Sequence, residues 1–264
     1  MGGLTILKLG GSVVTKKDKP FTPDLEAIDR LAREIAKAGV KPLIIIHGGG
    51  SFGHPVAEEY KLKEGYRHAS QILGFTKTRQ AMATLNGYII DALLRYHIPA
   101  VAVQPSACTI TKEGRISHID MEPMLMMLKT GFVPVMYGDV VPDLTLGFTI
   151  LSGDQLIANL ASTLVAKRVI VGVDVDGLYT ADPKLDPNAQ LIASLNLEEL
   201  NHFKLAVGGS TSLDVTGGML GKVTELMPIV KKGVEVIIIN AGVPDRVYQA
   251  LLNEDVIGTT LRFR

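Results

Sequence analysis

The segment PLIIIHGGGSFGH, residues 42–54, runs from an apolar stretch straight into a glycine-rich loop. Its first part, Pro42 to His47, is short and apolar, as strands buried inside a parallel sheet are. In open α/β sheets ligands bind beyond the carboxyl ends of strands, so glycines that follow such a strand are expected to face a ligand. This segment therefore predicts both a class of fold and the position of a site.

The same kind of apolar run recurs along the chain. Further strands are predicted at Leu4 to Leu9, Ala100 to Gln104, Val133 to Met136, Val169 to Val173 and Val234 to Ile239. Helical patterns lie at Pro23 to Ala38, Ala69 to Arg95, Asp120 to Lys129, Asp154 to Ala166, Met219 to Lys232 and Asp245 to Leu252, with Gly39 and Gly233 as helix ends. This alternation predicts an α/β fold, a three-layer αβα sandwich with a mainly parallel central sheet.

Three segments interrupt the alternation. Thr109 to His118 has Lys-Glu-Gly-Arg between two β-type runs and is predicted to be a hairpin. Turn residues cluster at Asp182 to Gln190 and at Gly208 to Gly218, which predicts two long loops. The sequence has no internal repeat, so we expect one continuous domain whose two lobes, residues 1–165 and 166–264, meet near Ala166.

Composition and charge limit the classes of function. The chain has 264 residues, 47% of them hydrophobic, and 27 basic side chains balance 27 acidic ones. This balance argues against a nucleic-acid or membrane-surface partner. The single cysteine, Cys108, rules out an internal disulfide or a cysteine-rich metal site and fits a reducing compartment. With no signal-peptide layout and no apolar run of about 18 residues, we expect a cytoplasmic protein.

A second glycine-rich loop follows the first predicted strand, in Lys8-Leu9-Gly10-Gly11-Ser12. Glycine has no Cβ, so its backbone N–H can come close to a phosphate oxygen, and the N-terminus of a following helix favours an anion there. Either loop alone is better explained as a tight turn. Two of them at the ends of neighbouring strands favour a phosphate site.

Two common nucleotide-binding motifs are matched only in part. Gly48, Gly50 and Gly53 have the G-x-G-x-x-G spacing of dinucleotide-binding folds, but the acidic residue expected about 20 positions later is missing. Residues 216–223, TGGMLGKV, look like a Walker A loop but lack its first glycine and the Ser or Thr after the lysine. Neither motif is therefore assigned.

The order of the motifs resembles that of the amino acid kinase superfamily over almost the whole chain. The matching motifs are the Lys8 loop, the loop at 48–50, Ser152-Gly153-Asp154, VDVDGLYTADP at 173–183, and Thr216-Gly217-Gly218-Met219 with Lys222. Within that superfamily, the stretch Gly49 to His54 is most similar to the isopentenyl phosphate kinase family. The resemblance implies in-line phosphorylation of isopentenyl phosphate by ATP. It also implies an acceptor-binding lobe with dimerisation helices at 1–165 and a nucleotide-binding lobe at 166–264.

The resemblance implies that the catalytic residues are Lys8, Lys17, His54, Asp154 and Lys222. Phosphoryl transfer needs the donor and acceptor held in line and the charge on the moving group neutralised, which suits three lysines. Asp154 would orient the lysine amines and keep them protonated, although a carboxylate at a helix start also serves the helix dipole. The sequence leaves Lys16 and Lys19 open as substitutes for Lys17.

His54 limits the chemical class of the acceptor, because it lies at the far end of the glycine loop. A histidine can donate a hydrogen bond to a phosphate, so we expect an acceptor that carries one. With a second pKa of about 6, such a phosphate needs no base to remove a proton. The implied acceptor ligands are Gly48, Gly49, Gly50, Gly53, His54 and Gly153. The hydrocarbon tail of the acceptor would need an apolar pocket. For the apolar residues of the long predicted helix, packing in the core is favoured over lining such a pocket; these are Phe75, Met82, Ile89, Ile90 and Leu93.

The resemblance also implies ATP as the phosphate donor. The implied nucleotide ligands are Lys8, Gly10, Gly11, Ser12, Gly50, Asp174, Tyr179, Asp182, Gly217, Gly218 and Lys222. Mg²⁺ is expected with the nucleotide and held mainly by phosphates and water, because the sequence has no clear protein-only metal cage. A homodimer is expected from the superfamily.

Three other functions remain open from the sequence. A kinase of the same superfamily could act on a carbamate, an amino-acid carboxylate, a nucleoside monophosphate or a phosphonate. A non-catalytic ligand-binding or storage protein on this scaffold would be free to lose its lysines, so their joint presence argues against it. A dehydrogenase would rest on the Gly48 loop alone.

Overall fold

The computed structural model describes residues 3–183, 185–196, 198–200 and 215–263, without the side chains of 215–217. The strands are β1 (Thr5–Leu9), β2 (Leu43–His47), β3 (Ala100–Ala102), β4 (Thr109–Lys112), β5 (Arg115–Ile119), β6 (Val133–Tyr137), β7 (Asp139–Asp143), β8 (Gly147–Leu151), β9 (Arg168–Val173), β10 (Ser194–Leu195), β11 (Glu235–Asn240) and β12 (Gly258–Leu261). The helices are α1 (Gly11–Val14), α2 (Leu25–Ala38), α3 (Gly50–Glu59), α4 (Ser70–Arg95), α5 (Pro105–Cys108), α6 (Glu122–Thr130), α7 (Gly153–Thr163), α8 (Val215–Val230) and α9 (Arg246–Leu252), with a 3₁₀ turn at Leu62–Glu64.

The central sheet is mainly parallel, as predicted. In the described part of the chain its order is β10-β12-β11-β9-β1-β2-β6-β3, and β12 is antiparallel to β11. The middle strand β1 pairs in parallel with both β2 and β9, so that Leu9 lies opposite His47 and Gly172. The carboxyl ends of three strands therefore meet at one point, where both glycine-rich loops begin.

Helices cover both faces of this sheet. Leu7 and Ile45 belong to one buried cluster with residues of α2, α4 and α9. Their sequence neighbours Ile6 and Ile46 belong to the opposite cluster with residues of α7 and α8. Burying one such side chain contributes about 1.5–3 kcal/mol, so the two apolar layers hold the helices in place. This arrangement confirms the predicted three-layer αβα sandwich.

A second, smaller sheet carries the predicted hairpin. Its order in the described residues is β5-β4-β7-β8, and β4 pairs antiparallel with β5. The hairpin prediction is confirmed, but β7 and β8 were not expected. The sequence of β7, DVVPD, has an aspartate at each end and Pro142, which are residues typical of turns.

Asp143 explains why β7 ends in a carboxylate. It accepts hydrogen bonds from the backbone N–H groups of Glu113 (3.2 Å), Gly114 (2.8 Å), Thr145 (2.9 Å) and Leu146 (2.8 Å). Burial raises its pKa, but these donors outweigh burial and bring the pKa down to about 2. One ionised side chain therefore fixes two adjacent turns.

Two predicted boundaries were wrong by more than two residues, and helix α3 was not predicted. Helix α8 begins at Val215, so the last four residues of the predicted loop Gly208 to Gly218 are helical, while 208–214 lie outside the described residues. Helix α7 ends at Thr163, before Ala166. Helix α3 begins inside the glycine loop, at Gly50, because tertiary packing overrides the low helix propensity of glycine.

The other predicted helix and strand boundaries lie within two residues of those in the structure. Gly39 ends α2 with a positive φ of 62°, as expected of a glycine cap. Asp182 to Gln190, apart from Lys184, is a loop as predicted. No helix among the described residues combines the length and the apolar character needed to cross a bilayer. The central sheet runs through both predicted lobes without a break, and the division at residue 165 stays a prediction.

Candidate active site

A cleft of about 710 Å³ opens at the carboxyl ends of β1, β2 and β9. This size is within the range of small-molecule sites. Of the predicted site residues, the cleft is lined by Lys8, Gly10, Gly11, Ser12, Lys17, Gly48, Gly50, His54, Asp154, Asp174, Tyr179, Asp182, Gly218 and Lys222. Gly49, Gly53 and Gly153 are not among its lining residues, and for Gly217 the structure describes only its place in the first turn of α8.

The two glycine-rich loops pack backbone against backbone. A Cβ added to Gly11 would lie 2.2 Å from the backbone nitrogen of Gly50, which no real contact allows. A Cβ added to Gly50 would lie 2.1 Å from the Thr15 Oγ1, and Gly50 also has a positive φ of 48°. Glycine is therefore required at both positions for the loops to meet.

Thr15 joins these loops and was not predicted from the sequence. Its hydroxyl donates to the carbonyl oxygen of Gly11 at 2.7 Å and accepts from the backbone N–H of Ser51 at 3.0 Å. One buried side chain thus bonds to both loops. A lone threonine after a short helix carries no sequence signal for this role.

Gly49 and Gly53 face helix α4 rather than the cleft lining. A Cβ added to Gly53 would lie 2.7 Å from the Met82 sulfur, and one added to Gly49 would lie 3.1 Å from the same atom. Gly153 lies beside Lys8, where an added Cβ would be 3.6 Å from the lysine Cε. The acceptor-binding roles of these three glycines remain predictions.

Asp154 connects two lysines that come from different elements. It lies in the first turn of α7, whose N-cap residue Ser152 accepts a hydrogen bond from the backbone of Gln155 at 3.1 Å. Lys8, on β1, forms an ion pair with Asp154 and is only 5% exposed. The Lys222 Nζ, from α8, lies 3.7 Å from the other carboxylate oxygen. The structure thus brings together these three predicted catalytic residues.

The surroundings of Lys8 lower the pKa of its ammonium group. Burial is the main cause, and the positive charge of Lys222 adds to it, while the Asp154 carboxylate acts in the opposite direction. Asp154 alone therefore does not offset the cost of burying this charge. An anionic ligand beside Lys8 would raise its pKa again.

Lys17 lies in the cleft at the side of β9. Its Nζ is 2.8 Å from an oxygen of Asp174, and the Ser12 hydroxyl donates to the other oxygen at 3.0 Å. Lys16 and Lys19 are not among the residues that line the cleft. Of the three lysines left open by the sequence, Lys17 is the one that lines the cleft, and its catalytic role stays a prediction.

His54 stands at the exposed rim of the cleft on α3. Partial exclusion of water by the surrounding protein lowers the pKa of its imidazole, and the charges of Lys222 and Lys8 lower it further. These effects favour a neutral ring that offers one N–H donor. The three side chains line the same cleft.

Asp176 anchors the loop that carries Tyr179. Its carboxylate forms an ion pair with Arg246 and accepts from the side chain of Asn240 at 3.1 Å and from the Tyr179 hydroxyl at 3.3 Å. Burial raises the pKa of Tyr179, and the negative charge of Asp176 raises it further. These contacts explain why an acidic residue precedes Gly177.

His47 contacts the first residue of the glycine loop at 48–50 and was not predicted as a site residue. Its ring is fully buried and stacks on Tyr137, with centroids 5.3 Å apart. Nδ1 is 3.0 Å from the carbonyl oxygen of Gly48, and Nε2 is 3.1 Å from the amide nitrogen of Asn86. Burial lowers its pKa to about 4. A neutral ring that donates from Nδ1 and accepts at Nε2 satisfies both partners.

Known proteins share this fold and much of this sequence. The sequence model of the amino acid kinase family matches residues 3–240. The isopentenyl phosphate kinase of Methanothermobacter thermautotrophicus is 44% identical, with 98% of each chain covered, and that of Methanocaldococcus jannaschii is 36% identical over 98% of this chain and 99% of the relative. A solved isopentenyl phosphate kinase structure, 43% identical, superposes with a TM-score of 0.86 and covers 98% of this chain and 99% of its own. This chain belongs to the amino acid kinase family.

Proposed function

We propose that this chain transfers the γ-phosphate of ATP to isopentenyl phosphate, giving isopentenyl diphosphate and ADP. The observation that carries the proposal is the meeting of Lys8, Asp154, Lys222 and His54 with both glycine-rich loops in one cleft. Relatives and solved structures that bear the name isopentenyl phosphate kinase align with the chain almost end to end.

The cations of the cleft would stabilise the transferring phosphoryl group. In this reaction the bond between the γ-phosphorus and its bridging oxygen breaks while an oxygen of the acceptor phosphate bonds to the same phosphorus. Lys8 and Lys222, which approach different carboxylate oxygens of Asp154, would neutralise charge on that group. Donors fixed before the reaction need no reorganisation during it, which is why such groups are effective.

His54 and the glycine loop would bind the acceptor phosphate. The neutral imidazole offers an N–H donor, and a dianionic phosphate beside it would raise its pKa and favour the stronger charged donor. The acceptor oxygen is already ionised near neutral pH, since the second pKa of a phosphate monoester is about 6. Asp154 is therefore proposed to orient the lysines rather than to act as a base.

ATP would bind on the side of β9 and α8. Asp174, Tyr179, Asp182 and Gly218 line that part of the cleft, while Lys17 and Ser12 bond to Asp174. Mg²⁺, when bound, would supply positive charge that neutralises the nucleotide phosphates. Among the described residues no group of three or more His, Cys, Asp or Glu side chains could hold a metal ion. Phosphate oxygens and water are therefore proposed as its main ligands.

The lobes, the assembly and the location predicted from the sequence are part of this proposal. Residues 1–165 would bind the acceptor and 166–264 the nucleotide. The protein would act as a homodimer in the cytoplasm, without a nucleic-acid or membrane partner. Size-exclusion chromatography with light scattering measures the assembly, and a monomeric mass would contradict the dimer.

A coupled assay with ATP, Mg²⁺ and isopentenyl phosphate tests the activity, with ³¹P NMR to identify the diphosphate. We expect turnover by the natural sequence, and a fall of about 10²–10³-fold in kcat for Lys222→Ala because a charged donor to the transition state is lost. Carbamate, glutamate, UMP and a phosphonate in the same assay identify a different acceptor. Faster turnover with any of them than with isopentenyl phosphate would reject the proposal.

A further inference from the structure

The β4–β5 hairpin is attached to the helix that carries Lys222. Arg115, the first residue of β5, forms a bidentate ion pair with Glu225 of α8. Its Nη1 donates to Oε2 at 2.9 Å and its Nη2 to Oε1 at 2.5 Å. Glu225 follows Lys222 by three positions, and side chains at that spacing are neighbours on a helix surface. The ion pair thus holds α8 one turn away from its active-site lysine.

Gln155 attaches the same hairpin to the helix that carries Asp154. It is the next residue along α7 and is only 7% exposed. Its Oε1 accepts from the backbone N–H of Ile116 at 2.7 Å, and its Nε2 donates to the carbonyl oxygen of Gly114 at 3.1 Å. Both ends of the amide are therefore bonded to the backbone on either side of Arg115.

Together these contacts close a ring of structure that includes Asp154 and Lys222. From Asp154 the ring passes along α7 to Gln155, across the hairpin to Arg115, and along α8 from Glu225 back to Lys222. The 3.7 Å approach of Lys222 to Asp154 completes it. Apolar packing between α7 and α8 is not directional, whereas a bidentate ion pair fixes orientation.

Arg115 is better suited to fix the orientation of α8 than to increase the stability of the fold. Its side chain is 63% exposed, and exposed ion pairs add little to stability, partly because long side chains lose entropy when they are ordered. Here the backbone on both sides of Arg115 is already held by Gln155, and Asp143 holds the turn. Less freedom is therefore lost when the guanidinium meets Glu225.

We propose that Arg115, Glu225 and Gln155 are positioning residues, which hold α8 so that Lys222 meets Asp154 and the transferring phosphoryl group. This inference rests on the proposed kinase function, because its main effect is on phosphoryl transfer. Catalytic groups are sensitive to such placement, since a displacement of about 1 Å can cost about 10²-fold in rate.

Steady-state kinetics of three variants test the proposal. For Arg115→Ala we expect kcat to fall about 10-fold and the KM for isopentenyl phosphate to stay within about twofold, because the change acts on Lys222 and not on the acceptor site. The Tm should shift by less than about 4 °C, as expected for an exposed ion pair. The charge-swapped double variant Arg115→Glu with Glu225→Arg should regain most of the lost kcat. Arg95→Ala, which breaks a similarly exposed ion pair with Asp29, is the matched control and should behave as the natural sequence.

Binding of a non-hydrolysable ATP analogue, measured by calorimetry, gives a second result that needs no acceptor. We expect Arg115→Ala to raise its Kd about fivefold, and the charge swap to reverse this, because a misplaced Lys222 loses contact with phosphate. If the natural sequence fails to phosphorylate isopentenyl phosphate, the proposed function fails, and this affinity still decides the positioning role. An Arg115→Ala variant that matches Arg95→Ala in kcat and in analogue affinity, or a charge swap no better than Arg115→Ala, would overturn the inference.

Discussion

The shifted pKa values of two buried groups, His47 and Asp139, predict opposite effects of pH on the free energy of unfolding. Burial lowers the pKa of His47 from 6.5 to about 4, and burial raises the pKa of Asp139 from 3.8 to about 6. A difference of one pKa unit between the folded and unfolded chain is worth about 1.4 kcal/mol. Titration of each group therefore changes the free energy of unfolding by about 3 kcal/mol, and the two changes have opposite signs.

The signs follow from which state holds the proton. Between pH 6.5 and about 4 the unfolded chain protonates His47 and the folded chain does not, so the free energy of unfolding falls as the pH is lowered. Between pH 3.8 and about 6 the folded chain holds a proton on Asp139 and the unfolded chain does not, so the same free energy falls as the pH is raised. In the natural sequence the two effects largely cancel.

Single variants separate the two groups. Urea unfolding followed by circular dichroism gives the free energy of unfolding of the natural sequence, His47→Gln and Asp139→Asn from pH 4 to pH 7.5. The advantage of the natural sequence over His47→Gln should grow by about 3 kcal/mol as the pH rises, and its advantage over Asp139→Asn should shrink by about the same amount. Subtraction removes the other titrating groups. Two differences that are flat, or that change in the same direction, would refute the reasoning.

Three further substitutions probe the cleft itself. Gly11→Ala places a Cβ 2.2 Å from a backbone nitrogen of the opposite loop, and urea unfolding should show a loss of about 1–3 kcal/mol. Its activity should also be lost, and an active, fully stable variant would contradict the packing of the loops. Asp154→Asn should lower kcat about 10²–10³-fold, and, because the carboxylate raises the pKa of Lys8, the alkaline limb of the pH–rate profile should move to lower pH. An unmoved limb would argue against that coupling. His54→Ala should raise the KM for isopentenyl phosphate about 10-fold through the loss of one hydrogen bond, and unchanged kinetics would exclude His54 as an acceptor ligand.

The sequence predicted the central sheet because its strands are apolar and continuous. In an alternating α/β pattern, the apolar runs at Leu4 to Leu9 and Pro42 to His47 indicate buried parallel strands. In the structure they are the adjacent strands β1 and β2. Because parallel neighbours end at the same edge of a sheet, the two glycine-rich loops had to meet. The convergence of Lys8 and His54 on one cleft follows from this topology.

What the sequence did not predict depends on contacts between distant residues. Strand β7 was missed because Pro142 and two aspartates outweigh its two valines locally, and pairing with β4 and β8 stabilises it. The position of His47 on β2 depends on Asn86 from helix α4, and the ion pair of Arg115 depends on Glu225. None of these pairs has a spacing motif, so local patterns carry no signal for them.

The central claim is that the cations and glycine amides of both halves act on two phosphorylated ligands held head to head in one cleft. A conjugate in which adenosine is linked through an oligophosphate to an isopentenyl group tests this most directly, by calorimetric measurement of its Kd beside those of ATP and isopentenyl phosphate. We expect the conjugate to bind about 10²–10⁴-fold more tightly than either ligand alone, because the second binding event becomes intramolecular. An affinity no higher than that of ATP would contradict the claim, because it would mean that the two ligands do not share the cleft.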